Sequence, residues 1–207
     1  MSISTYSELQ TAITDFLNRD DLASVVPTFI SLAEADINRR LRHYRMQVTA
    51  SPSLSAQYTA LPTDWLEAVR LSLTGTPLGT RVELISHADL LERKQQRAGR
   101  AGVPEYFAVT GSNLELFPVP DATYSGELLY FGRIPALSIS SPSTWLLTEH
   151  PDIYLYGALT HSAPYLQDDA RIQIWASLYQ AALDAANVAS QSARFGGTGL
   201  RMKTRAY

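Results

Sequence analysis

The chain contains no cysteine. This excludes disulfide bonds, thiolate zinc sites and a thiol nucleophile, and it is typical of a protein made in a reducing cytosol. No stretch approaches eighteen consecutive apolar residues, so we expect no transmembrane helix. The segment Met1–Thr5 lacks the basic and then apolar pattern of a signal peptide, so export by the Sec route is not expected.

Charge of either sign is also scarce. The 207 residues carry a formal net charge of −3, and 45% of them are apolar. This balance argues against a protein that coats nucleic acid along its whole surface, although a local basic segment can still matter. The length is sufficient for one substantial core, or for a core with a small insertion.

The stretch Trp145–Leu166 predicts a helix around which the rest is organised. Thr148 is placed to act as its N-cap, and Pro151 suits a first helical turn because its missing N–H costs nothing there. The small pair Gly157–Ala158 would let another helix approach closely. Apolar residues recur four apart on one face, at Leu155, Leu159 and Ala163.

Amphipathic helices are predicted on both sides of this stretch. Thr5 and Glu8 form a capping box, Pro27 restarts a helix, and Asp36 pairs with Arg40 at i,i+4. A last helix runs from about residue 169 to about residue 190. Its apolar stripe comprises Ile172, Trp175, Tyr179, Ala182 and Ala186.

The middle third changes to a period of about two, which indicates strands. Ser86 opens a short polar helix that extends to Arg97, and Gly111–Asn113 is the turn of the clearest hairpin. The predicted strands are 57–61, 68–73, 82–85, 106–110, 114–117 and 127–131. We therefore predict an α+β chain: a mainly α-helical bundle (1–46 and 144–190), a small inserted antiparallel β-sheet (47–143) and a flexible C-terminal arm (191–207).

The predicted arm is basic and has no helical periodicity. As a solvated end it needs no partner; as a binding arm it would order only on docking. Its glycines, 196–199, do not form a P-loop, because Met202 rather than glycine precedes Lys203–Thr204 and no helix follows. Candidate partner contacts are Arg194, Arg201, Lys203, Arg205 and Tyr207.

Catalytic and metal-binding patterns are weak. Glu149, His150 and Asp152 lie close together in sequence, but neighbours at a predicted helix start usually act as caps rather than as an acid–base site. No H-x-x-x-H spacing and no G-x-S-x-G element occurs. The histidines are His43, His87, His150 and His161. We predict no catalytic, cofactor-binding or metal-binding residues, and we assign an organising role in the core to Trp145, Pro151, Leu155, Leu159 and Trp175.

Several segments, in this order, resemble the head-to-tail adaptor (head completion) proteins of tailed bacteriophages. They are Y-S-E-L near the start, V-V-P-T-F-I-S-L-A-E-A-D-I-N-R-R-L-R at 25–42, A-L-P-T-D-W-L-E at 60–67, L-E-L-F-P-V-P at 114–120 and W-L-L-T-E-H-P-D-I-Y-L-Y-G-A-L at 145–159. Together they span most of the chain.

The resemblance implies a structural virion protein without enzyme activity or cofactor, made in the host bacterial cytoplasm. It implies a homododecameric ring in the neck, between the capsid's portal protein and a tail or nozzle protein. The basic arms would dock on the portal, and packaged DNA would pass through the lumen without sequence-specific binding; no membrane partner is expected.

Two other classes of function stay open at this point. One is a tail-associated peptidoglycan hydrolase that uses Glu149 or Glu67 as its acid. The other is a nucleic-acid-binding module that uses the basic arm, whose binding would depend strongly on salt.

Overall fold

The structure is a computed structural model that describes residues 3–75, 80–97, 101–166 and 170–195. Its contacts divide the chain into two compact units. The helical unit combines the residues up to Tyr44 with those from Ile134 onward, and the sheet unit is Arg45–Arg133. The segment 134–143, assigned above to the insertion, is thus part of the helical unit.

The helical unit contains five of the labelled helices, and short 3-10 turns follow α1 and α5. Its helices are α1 (Tyr6–Leu17), α2 (Val26–Arg40), α4 (Trp145–Glu149), α5 (Pro151–His161) and α6 (Arg171–Phe195). The predicted capping box is confirmed: Glu8 N donates to Thr5 Oγ1 over 3.3 Å, and Thr5 N donates to Glu8 Oε2 over 3.0 Å. This pairing satisfies amide groups that the first turn of α1 leaves without a helical partner.

Helix α5 lies at the centre of the helical unit, in contact with α1, α2 and α6. Gly157 explains how two of these helices come so close. A Cβ placed on Gly157 would lie 3.1 Å from Tyr179 Cε2 of α6 and 3.3 Å from Ala33 Cβ of α2. The predicted close approach of a helix at this glycine is confirmed.

The predicted start of the organising helix is wrong. Thr144, not Thr148, is the N-cap, and its Oγ1 accepts from Leu147 N over 3.2 Å. Thr148 instead lies inside α4, where its hydroxyl donates to the Thr144 carbonyl. The helix is interrupted at His150. Pro151 then begins α5 as a separate helix, in the first helical turn, which suits proline.

Among the described residues, the sheet unit holds one short helix and eight strands. Helix α3 (His87–Gln96) is capped by Ser86, which accepts from Asp89 N over 3.1 Å. The strands are β1 (Gln47–Ala50), β2 (Ser53–Leu54), β3 (Tyr58–Ala60), β4 (Trp65–Thr74), β5 (Arg81–Leu84), β6 (Tyr106–Thr110), β7 (Asn113–Phe117) and β8 (Tyr124–Gly132).

The strand order is β1-β8-β4-β5-β6-β7-β3, with β2 also paired to β8. The predicted β6–β7 hairpin forms, with Tyr106 opposite Phe117 and Thr110 opposite Asn113, so Asn113 belongs to β7 rather than to the predicted turn. The β5–β6 pair is parallel, and the other pairs are antiparallel. Along β4 the pairing with β8 shifts register twice, between Trp65 and Glu67 and between Ala68 and Arg70.

The predicted fold class is wrong in its proportions. The protein is a mixed α+β structure with a curled, half-barrel sheet of eight strands, 23% strand and 47% helix, rather than a mainly helical bundle with a small inserted sheet. The strands β1 and β2 were missed, and β4 and β8 are longer than predicted. Their length depends on pairing with each other, which a local sequence window does not contain.

Candidate functional site

The predicted arm begins inside a helix. Helix α6 continues to Phe195, so the first five residues assigned to the arm are helical, and Arg194 is exposed on this last turn. The other predicted portal contacts, Arg201, Lys203, Arg205 and Tyr207, lie outside the described residues, as do the glycines at 196–199.

Helix α6 has two apolar stripes. The inner stripe is buried in the helical unit and comprises Trp175, Tyr179, Leu183 and Ala186. The outer stripe is exposed, with residues spaced four, three, four and three apart: Ile174, Leu178, Ala181, Ala185 and Val188. Three of them are large, and they are 58% (Ile174), 41% (Leu178) and 61% (Val188) exposed. This spacing is that of a helix that packs on a further helix.

The residues predicted to organise the core lie in the helical unit. Leu155, Leu159 and Trp175 are buried, and Pro151 is the first residue of α5. Trp145 is only half-buried; its ring stacks on that of His43 with 4.9 Å between centroids.

The acid–base candidates lie at the junction of α4 and α5. Glu149 ends α4, Asp152 lies in the first turn of α5, and both are exposed. His150 between them meets the ring of His43 edge-on, at 6.1 Å. Asp152 is well placed to stabilise the positive end of the α5 dipole. Glu67, the other proposed acid, is exposed on β4.

A polar cluster joins α2 to α6 within the helical unit. Asp36 accepts from Tyr179 Oη over 2.8 Å and pairs with Arg39 and Arg40 at 3.1 Å each. The predicted Asp36–Arg40 pair is therefore confirmed. Burial raises the pKa of Asp36, but these hydrogen bonds outweigh burial and hold the pKa below its ordinary value.

The strongest electrostatic feature was not predicted. Glu115 on β7 is 1% exposed, and polar side chains surround its carboxylate. Lys94 Nζ of α3 donates to Oε1, and His87 Nδ1 lies 3.4 Å from Oε2. Hydroxyl and amide groups donate to it over 3.0–3.1 Å from Gln57, Tyr58 and Thr110.

These partners explain how a buried carboxylate on β7 can stay ionised. Burial alone would raise the pKa of Glu115. The hydrogen bonds from Lys94, Gln57 and Tyr58 lower it by a larger amount, so the pKa lies below its ordinary value. The one signal in the sequence is a glutamate between two leucines, Leu114 and Leu116, inside a strand. Its partners come from three separate segments, 57–58, α3 and β6, so only the fold reveals the cluster.

A second feature of the sheet unit is an opening between two neighbouring strands. In the described part of the chain, the ladder between β4 and β5 consists of Leu71–Val82 and Ser72–Arg81. Trp65–Arg70 of β4 pairs with β8 alone, and Glu83–Leu84 of β5 pairs with β6 alone. We call the space between 65–70 and 83–85 the seam. It holds an open cavity of about 550 Å³.

The segment after the sheet is held by side chains of α2. Ile134 N donates to Asn38 Oδ1 over 2.9 Å, and Leu137 N donates to Glu34 Oε1 over 2.7 Å. Burial raises the pKa of Glu34 despite this bond. The same segment holds Ile139 almost fully in solvent, at 93% exposure.

Neither metal binding nor membrane insertion finds support in the described residues. Within 3–75, 80–97, 101–166 and 170–195, no three histidine or carboxylate side chains come together as metal ligands would. Over the same residues, no helix combines the length and the apolar character that a bilayer span needs.

Comparison with known proteins gives one result that covers nearly the whole chain. No curated protein matches it significantly. Residues 4–202 match the family described as SU10 adaptor protein, a family of phage head-to-tail adaptors. The match includes both structural units and most of the arm, so the chain belongs to the SU10 adaptor protein family and is a structural phage protein.

Proposed function

We propose that this protein forms a ring between the portal and the tail in the neck of the virion, and that the ring helps to close the DNA-filled head. The outer stripe of α6 is the observation that carries the proposal. Exposed apolar side chains that recur along a helix at intervals of four, three, four and three residues are typical of a face that another protein surface covers. We assign this face to contact between adjacent copies.

The number of copies comes from the family resemblance, which favours twelve. A closed ring needs head-to-tail contacts, in which a different surface on the neighbouring copy covers the outer stripe. At the centre of the stripe Ala181 and Ala185 leave room for a neighbouring backbone, while the larger residues lie toward its ends. Burying these larger side chains removes apolar area from water, the main source of stability in such contacts.

The arm is proposed as the grip on the portal. Its residues 196–207 carry Arg201, Lys203 and Arg205 and no acidic side chain, and if extended they would span about 40 Å. Arginine offers bidentate contacts to partner carboxylates, and Tyr207 offers an aromatic anchor. Copies held in one ring would bind together, so weak individual arms would give a durable joint.

Ring formation is tested by placing a charge on the stripe. Leu178→Glu should abolish the ring in native mass spectrometry and leave a folded monomer. Leu91→Glu is the matched control, because Leu91 is a similarly exposed leucine (45%) on α3. If Leu178→Glu still forms the ring, the contact between copies lies elsewhere.

Portal binding is tested by shortening the chain after Phe195. An end at Ser190 would be a poor choice, because Ser190 Oγ accepts from Tyr44 N over 2.8 Å and its loss would disturb the body. The chain ending at Phe195 should keep its ring and lose the portal. Replacing Arg201, Lys203 and Arg205 by glutamine should weaken portal binding more than the same change at the exposed Arg19, Arg81 and Arg97. Full portal binding by the shortened chain would refute the role of the arm.

A further inference from the structure

The seam has open backbone hydrogen-bonding groups on its β5 side. Glu83 N donates to the Glu105 carbonyl and Ile85 N donates to the Phe107 carbonyl, both across to β6. Successive residues of a strand point their N–H and C=O groups to opposite sides. The backbone groups of Leu84 therefore point toward β4, into the seam.

The side chains at the seam are mostly apolar, with a few charged groups at the margin. Leu84 is 51% exposed and Val109, on the neighbouring β6, is 40% exposed. Glu83 is exposed beside them. The apolar lining comprises Trp65, Leu66, Ala68, Leu84, Ile85 and Val109.

Such a seam suits an added strand. Unpaired strand edges are templates for another extended chain, and native proteins usually cover them. When an extended segment adds to a sheet, main-chain hydrogen bonds supply affinity and the alternate side chains supply specificity. An occupant of this seam needs one apolar face toward the lining and a basic side chain toward Glu83.

The arm has this pattern in its last eight residues. Leu200, Met202, Thr204 and Ala206 alternate with Arg201, Lys203, Arg205 and Tyr207. In an extended conformation the first set would share one face and the second set the other. The basic residues complement the exposed carboxylate of Glu83 at the seam.

We propose that the seam of one copy binds residues 200–207 of a second copy as an added β-strand. Each copy carries one arm and one seam, so the exchange is head-to-tail and can include every copy of an assembly. It would hold the arm in place until the portal competes for it. The inference does not depend on portal docking, and its test uses the adaptor alone.

Cysteine cross-linking gives a clean test because the natural chain has no cysteine. Val109 on β6 lies two strand spacings, about 10 Å, from a strand added beside β5, so the cross-linker must be longer than a disulfide. One full-length variant carries Val109→Cys, and a second, extended by an affinity tag to change its mass, carries Met202→Cys. The two are mixed and treated with a flexible bis-maleimide that spans this distance, and the mixed dimer is identified by mass on a denaturing gel. Leu91→Cys, at 45% exposure on α3, replaces Val109→Cys in the control. We expect about tenfold more mixed dimer from Val109→Cys, as for a specific site against random collision.

A second pair of variants tests the chemistry of the seam. Leu84→Arg with Glu83→Lys, added to the Val109→Cys chain, should reduce cross-linking about tenfold, because it removes apolar burial and reverses a charge. Leu91→Arg with Glu92→Lys makes the same change on α3 and should leave cross-linking unchanged.

Two results would overturn the proposal. One is equal cross-linking from Val109→Cys and Leu91→Cys. The other is a Val109→Cys/Met202→Cys double variant that is cross-linked within one chain, at a rate independent of dilution, while the mixed dimer stays at the control level. That second result would place the arm in its own chain's seam.

Discussion

Replacing Glu115 by glutamine should destabilise the sheet unit by about 2 kcal/mol at neutral pH. The substitution keeps the shape of the side chain and removes its charge. Its main loss is the charge-assisted bond from Lys94, and bonds to charged groups contribute about 1.5–3 kcal/mol each. Tyr58 and His87 are more than half exposed, so water can replace Glu115 as their partner and they add little to the cost.

The reciprocal change tests the same bond from the other side. Lys94→Met leaves the buried carboxylate without its lysine partner, and we expect a similar loss. Since both variants break one interaction, the double variant should be more stable than the sum of the single losses predicts, by about 1 kcal/mol or more. Glu105→Gln is the control, because the exposed Arg97–Glu105 pair at 2.9 Å should contribute less than about 1 kcal/mol.

The assay must report on the sheet unit alone. Trp65 lies in this unit and stacks on Tyr130 with 5.4 Å between centroids, whereas Trp145 and Trp175 belong to the helical unit. In a background with both of these replaced by phenylalanine, urea unfolding followed by tryptophan fluorescence reports the Trp65 environment. If Glu115→Gln and Glu105→Gln differ by less than about 0.5 kcal/mol, the reasoning about the buried carboxylate is refuted.

The same carboxylate predicts a pH dependence. The pKa of Glu115 is lowered in the folded state, so its contribution to stability is present above about pH 4.3, the pKa of an unfolded glutamate. It should be lost as the pH falls from that value through the lower pKa of the folded protein. In Glu115→Gln this part of the acid sensitivity should be missing.

Three further changes test the helical unit by thermal and urea unfolding. Gly157→Val should cost about 1–3 kcal/mol by overpacking against Tyr179, and an unchanged midpoint would show that α5 can move away. Thr144→Ala should cost about 1 kcal/mol, as loss of an N-cap does, and Thr148→Ala should cost less; the reverse order would restore the cap predicted from sequence. Leu155→Ala should cost about 2–5 kcal/mol as a large-to-small core change, and a negligible loss would mean that this buried site tolerates a cavity.

Features that depend on a few neighbouring residues could be predicted from the sequence. The capping box at Thr5, the start of α3 at Ser86 and the β6–β7 hairpin each lie within one short window. Gly157 was also predictable, because a glycine inside an apolar helix commonly marks a close approach. The prediction of the α4 N-cap was wrong for a local reason. Both Thr144 and Thr148 are residue types that cap helices well, and the direction from which the preceding chain approaches the helix decides between them.

Features that depend on distant pairing could not be predicted in the same way. The long β4–β8 ladder joins residues such as Leu71 and Leu128. The sequence of neither strand identifies the other as its pairing partner. The Glu115 cluster has the same difficulty, since its partners lie in α3, in β6 and at residues 57–58, all distant in sequence from one another. A buried charge is tolerated only when such partners are present, so the isolated glutamate in β7 indicated a partner without identifying it.

The arm is a feature contained in a short stretch of sequence, whereas the seam depends on distant pairing. The arm's alternation is contained in eight consecutive residues, and it is visible to anyone who looks for a period of two. The seam exists because β4 shifts register twice against β8 while β5 turns to pair with β6, and register shifts at ordinary residues such as Leu66 and Val69 leave no local mark. A strand that adds to a sheet can therefore be found by its pattern, whereas its receptor is found only after the topology is known. The proposed pairing of arm and seam therefore follows from the strand topology and not from the sequence. Cross-linking between copies measures it directly.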